Sequence, residues 1–214
     1  MKKNIFRSKF IVLALLLSSS SYAQIRTAAY FSSDLKFKEI IEDVGNPLPG
    51  YTIMIVKSFV PDHGSYIWFL NETKASQPAY LHDDPKDLYS GVFLEDHGGL
   101  LQKITFKDFA KGLAQPKYLI NYCDVADADK DGFPEFYLTY FEESDGLDPK
   151  PLKVIVYINN KNKIFSKSKI TAWIPFQQED KYWEDRDANF NQLSKNIRVK
   201  AEEIIQKGGV GEAF

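Results

Sequence analysis

Cysteine is almost absent from this chain. Cys123 is the only one among 214 residues, so no intramolecular disulfide braces the fold. It lies in the apolar run YLINYC, which marks a buried core thiol. No base is visibly paired with it, so it does not read as a nucleophile. Histidine is scarce as well. His63, His82 and His97 stand in PDHG, LHDD and EDHGG, all polar turns. None has the helical H-E-x-x-H or the Cys/His spacing of a zinc site, and each reads as an exposed loop residue. No G-x-S-x-G elbow and no phosphate-binding glycine loop is present, so the commonest hydrolase and nucleotide signatures are missing. An excess of positive charge is lacking too. Lys and Arg number 27 against 29 Asp and Glu. Long apolar runs are confined to the first residues.

Those first residues, MKKNIFRSKFIVLALLLSSSSYAQ, have the plan of a secretory leader. Lys2, Lys3, Arg7 and Lys9 form a positive segment, and Phe10 to Leu17 is an apolar core too short to span a bilayer. Ser21-Tyr22-Ala23 is a small-x-small cleavage site. The expectation is a signal peptide over residues 1–23 and a single globular domain over 24–214, exported to the periplasm, the cell surface or the medium. No cysteine sits at the cleavage point, so a lipid-anchored lipoprotein is not expected. Removing the leader leaves 23 basic against 29 acidic residues, a net of −6. Such a surface is not built to cover phosphates, so nucleic acid is not an expected partner. No later segment is apolar enough to cross a membrane as a helix.

Aromatic residues make up 14 % of the chain and many stand in short strand-like runs. YTIMIVKSFV (51–60) and SYIWFLN (65–71) flank the turn residues Pro61 to Gly64 and predict a hairpin. YSGVFLED (89–96) and LQKITFKD (101–108) predict a second around Gly98-Gly99. KYLINYCDVAD (117–127) and EFYLTYFEE (135–143) predict two further strands. LKVIVYI (152–158) and KIFSKSKITAW (163–173) predict two more, turning at Asn159-Asn160. LKFKEIIEDV (35–44) places Phe37, Ile40, Ile41 and Val44 on one helical face, although a strand is also compatible with it. Near the C-terminus Phe190, Leu193, Ile197, Ala201, Ile204 and Ile205 recur at helical spacing. Asp185 or Asp187 is expected to cap that helix and Gly208-Gly209 to end it. The predicted class is α+β or mainly β, a single domain of largely antiparallel sheet with a C-terminal helix.

The chemistry concentrates in DADKDGFPEF, residues 127–136. With Asp127 as first ligand, Asp129 and Asp131 follow at alternate positions. Gly132 stands where a calcium loop turns with positive φ. Phe133 offers its backbone carbonyl, and Glu135 closes the set two residues later. These oxygens suit Ca2+, which takes about six to eight at about 2.3–2.6 Å. A helical EF-hand needs glutamate three positions beyond Glu135, where Leu138 stands instead. With strand-like flanks, the loop resembles the strand-loop-strand calcium loops of integrin-type and similar bacterial β repeats. The alternative is an aspartate-rich turn held by side-chain to backbone hydrogen bonds. Against it, four close carboxylates repel one another without a cation.

A second acidic stretch, FEESDGLDPKPLKVIVY (141–157), carries Glu142, Glu143, Asp145 and Asp148. Across the strand 135–143 these are placed to add a ligand or to bind a polar partner. The alternative is a solvated connecting loop. Trp68, Tyr80, Trp173, Tyr182 and Trp183 are available to stack on sugar rings, though aromatics in a sheet protein are mostly core. Tyr182 and Trp183, in the polar run KYWEDRD, are expected to be partly exposed.

The loop DxDxDGxxE, the aromatic strand after it and the run SDGLDPKPLKVIVY together resemble a family of exported bacterial proteins commonly labelled surface polysaccharide biosynthesis proteins. The matching positions are Asp127, Asp129, Asp131, Gly132 and Glu135, then Tyr140, Ser144, Asp145, Pro149 and Lys153. The resemblance covers about residues 118–173 and implies a role in making or displaying surface glycans. It implies no catalytic residue. The functional expectation is therefore an exported, calcium-stabilised, non-enzymatic module that assists polysaccharide assembly or binds a glycan or cell-envelope protein. A glycan-acting hydrolase or transferase using the acidic residues 142–148 is the alternative.

Overall fold

A computed structural model describes residues 24–61, 63–76, 84–144, 147–159, 164–175 and 180–211. The leader, Tyr80, His82, Asp145 and Asn160 lie outside them. The chain folds into two antiparallel sheets with a helix on the outer face of each. Sheet I is a meander of β1 (Arg26–Phe31), β2 (Tyr51–Val60), β3 (Gly64–Lys74), β4 (Lys86–Asp96) and β5 (Gly99–Asp108), paired in that order. Sheet II contains β6 (Ala114–Tyr118), β7 (Asp124–Ala126), β8 (Glu135–Ser144), β9 (Lys150–Asn159), β10 (Phe165–Ile174) and β11 (Trp183–Arg186). Its order is β11-β10-β9-β8-β6, and β7 also pairs with β8.

Side-chain alternation explains the layers. On β3, Tyr66, Trp68 and Leu70 point inward, where they meet Phe136, Leu138 and Tyr140 of β8. Ile67 and Phe69 point the other way, towards Phe37 and Ile40 of α1 (Leu35–Val44). On β8 the opposite set, Tyr137 and Phe141, joins Ile197, Ala201, Ile204 and Ile205 of α2 (Lys195–Gly211). The central strands of each sheet are thus buried on both faces and read as near-continuous apolar runs. Trp68 is 1 % exposed and donates from its indole to Ser90 Oγ, 2.6 Å away. It is core and unavailable to a sugar.

Several expectations shift. Residues 117–127 do not form one strand. β6 and β7 lie in line along the same edge of β8, separated by a 3-10 turn at Ile120–Tyr122. Cys123 sits in that break. Its thiol takes the Thr139 N–H at 3.4 Å where the ladder has no backbone partner, and burial pushes its pKa up to about 12. The second hairpin turns one residue earlier than expected, at His97-Gly98, both with positive φ and flanked by the pair Asp96 and Gly99. Residues 35–44 settle as a helix because their apolar face covers sheet I. α2 starts later than its periodicity suggests. Ser194 Oγ accepts from the Ile197 N–H at 3.4 Å. Asp187 instead precedes a separate 3-10 turn at Phe190–Gln192, and its Oδ1 accepts from the Phe190 N–H at 2.7 Å. Gly208 and Gly209 do not end α2 but lie within it, against sheet II. A Cβ on Gly209 would come within 2.9 Å of Ile174 Cδ1, so the missing side chain permits a close approach. β1 and β11, both exposed edge strands, escape the sequence pattern altogether.

Candidate metal centre

The pairing of β7 with β8 builds the centre. Ala126 lies opposite Glu135, and the eight residues between them must reverse the chain. Lys130 and Gly132 do so with φ of 63° and 87°. The glycine pays no Cβ penalty at that angle, whereas Lys130 carries one. Asp127 Oδ2 accepts from the Gly132 N–H at 3.1 Å, and Asp131 Oδ1 from the Phe133 N–H at 2.9 Å. Glu135 Oε2 accepts from the Ala128 N–H at 2.7 Å. These bonds fold the loop inward around its own acids.

The result is convergence. One carboxylate oxygen from each of Asp127, Asp129, Asp131 and Glu135 lies within 4.8 Å of the others. Glu135 is 3 % exposed, while Asp127 and Asp129 are half-buried and Asp131 is exposed. Two buried oxygens, Asp127 Oδ1 and Asp129 Oδ1, have no hydrogen-bond partner. Buried polar atoms are normally satisfied, and leaving one unpaired costs about 1–3 kcal/mol. Burial, reinforced by the charges of Asp129, Asp127 and Asp131, pushes the Glu135 carboxyl up to about 8, against the pull of the Ala128 N–H. Burial likewise raises Asp127, with repulsion from Asp131 and Asp129 added. Orphaned oxygens and mutually repelling acids around one point fit a cation and are unfavourable without one. The residues present can therefore hold a metal ion.

The Phe133 ring packs with its centroid 4.4 Å from that of His63 in the β2–β3 turn. The loop is thereby joined to sheet I, a contact that sequence spacing does not reveal. Beneath it, Asp124 of β7 pairs with Lys200 of α2 at 2.6 Å.

Of the second acidic stretch, the described acids Glu142, Glu143 and Asp148 are not part of this centre. Glu142 is seven residues along β8 from Glu135, about 23 Å at strand spacing. It pairs with Lys153, and Glu143 lies 3.2 Å from Gln115 Nε2 and 3.7 Å from Lys117. Asp148 is exposed. Tyr182 and Trp183 are exposed, as the polar run suggests. Trp183 stacks on Trp173 with centroids 4.9 Å apart and 11° between planes. His97 is an exposed turn residue beside Asp96. No helix among the described residues is long and apolar enough to cross a membrane. No family model, curated protein or solved structure matches the chain.

Proposed function

We propose that the protein is an exported, calcium-stabilised module without catalytic chemistry of its own, which assists surface polysaccharide assembly or binds a glycan or envelope protein. The observation that carries the calcium reading is the convergence of four carboxylates with two orphaned buried oxygens. The donors are all hard oxygens, which favours calcium or magnesium over softer metals. Calcium takes about six to eight oxygens in flexible geometry, which suits a loop of clustered carboxylates better than magnesium, which demands near-ideal octahedral geometry and keeps several waters. Asp127, Asp129, Asp131 and Glu135 would hold it, together with the Phe133 carbonyl. The bound ion would supply charge compensation to the buried acids and a fixed turn between β7 and β8.

Export rests on the leader-like residues 1–23. The polysaccharide role rests on the likeness of residues 118–173 to that exported family. The second reading, a glycan-acting hydrolase or transferase, gains little from the geometry, because Glu142 and Glu143 are committed to Lys153, Lys117 and Gln115.

The experiment is thermal unfolding of the wild type and of an Asp129→Ala/Asp131→Ala variant, each with calcium and with chelator. Calcium raises the wild-type midpoint through preferential binding to the native state, by about 2.7 kcal/mol at a hundredfold excess over Kd. The variant loses that rise and in chelator melts no lower than the wild type. An equal loss in both conditions identifies the acids as turn formers only.

A further inference from the structure

Beside the acidic loop lies a groove of about 690 Å³, within the size range of small-ligand sites. It is lined by Gln24 and Ile25, by Thr27 of β1, by Val125 and Ala126 of β7, and by Asp127 and Lys130 of the loop. Asp127 therefore belongs both to the groove and to the cation cluster. Lys130 is exposed and makes no ion pair with any described residue, although acids surround it in sequence. Its left-handed backbone, φ 63°, sets it apart from the aspartates on either side.

We infer that this groove binds a hydroxylated carboxylate, of the uronate type, which completes the coordination of the ion and pairs with the Lys130 ammonium. The inference rests on the calcium reading above. Four side chains and one carbonyl give five protein oxygens, whereas calcium takes about six to eight, so about one to three places remain for a ligand or water. A carboxylate oxygen fills such a place better than a hydroxyl, since it brings charge to a divalent ion. Lys130, which also lines the groove, adds a second positive partner with three donors for the remaining oxygens. Ile25, Val125 and Ala126 offer an apolar surface for a ring face. Gln24 and Thr27 offer polar atoms for hydroxyl groups.

The test is calorimetric titration of the purified protein, first with calcium and then, calcium-loaded, with D-galacturonate, digalacturonate and neutral galactose. The wild type and Lys130→Gln are compared, and the titrations are repeated in chelator. Galacturonate or its dimer is expected to bind the calcium-loaded wild type, to be lost in chelator, and to bind Lys130→Gln about tenfold more weakly, the size of one charge-assisted contact. Lys130→Gln keeps its calcium affinity to within about threefold. Equal binding of galactose, undiminished binding in chelator, or no uronate binding by protein that does take up calcium would each overturn the groove assignment. Failure to take up calcium at all would instead overturn the metal reading on which it stands.

Discussion

Glu135 is the residue on which the centre turns. It is the most buried of the four acids and opens β8, so its carboxylate is fixed by the sheet while the aspartates ride on the loop. In cation-free protein its carboxyl titrates near 8, whereas in the unfolded chain it returns to the ordinary glutamate range. Between these values the native state holds more protons than the unfolded state. Stability of the cation-free protein therefore falls as pH rises from about 4.5 towards about 8. The expected result is a melting midpoint in chelator that declines between about pH 4.5 and pH 8 and levels off above, and a Glu135→Gln variant that lacks this part of the decline. Calcium reverses the trend for the wild type, because deprotonation now serves the ion. A midpoint in chelator that climbs through the window would contradict the buried, repelled carboxyl.

At the scale of elements, the helix α2 illustrates both what is legible in the sequence and what is not. Its apolar period identified the buried face, because Ile197, Ala201, Ile204 and Ile205 all meet sheet II. Its ends were misread for a physical reason. Phe190 and Leu193 fit the period, but Phe190 belongs to a 3-10 turn and Leu193 is the extended residue after it, and glycine is a common helix terminator as well as a device for close packing. The long strands were legible from their β-branched and aromatic runs. β1 and β11 were not, since edge strands with exposed side chains carry little hydrophobic signal. The interruption between β6 and β7 was hidden because YLINYC is as apolar as the strands beside it. Seating of α2 is tested by Ala201→Leu. Ala201 is fully buried against the sheet, so the larger side chain should cost about 1–3 kcal/mol in denaturant unfolding. Glu203→Ala on the exposed face should change stability by less than about 0.5 kcal/mol. Similar effects at both positions would mean that α2 does not pack as described.

Taken whole, the molecule is two sheets sharing one interior, with each outer face closed by a helix. The acidic loop stands where these layers meet. It connects β7 to β8, rests Phe133 on His63 of sheet I, and lies close to the Asp124–Lys200 pair between sheet II and α2. An ion held there steadies contacts across several layers rather than a single turn. The acids of the centre were legible because alternating aspartates, a glycine and a following glutamate impose a turn with oxygens inside it. Its surroundings were not, because His63 and Lys200 arrive from distant parts of the chain. Glu142 and Glu143 stand at the far end of β8 from the loop, a separation that their closeness in sequence does not convey.

Calorimetric titration of the chain from Gln24 onward with calcium, repeated with magnesium, probes the central claim most directly. The account predicts one calcium ion per chain, with magnesium bound much more weakly, and loss of the calcium signal in Asp129→Ala/Asp131→Ala. A chain that takes up no calcium while remaining folded would contradict it.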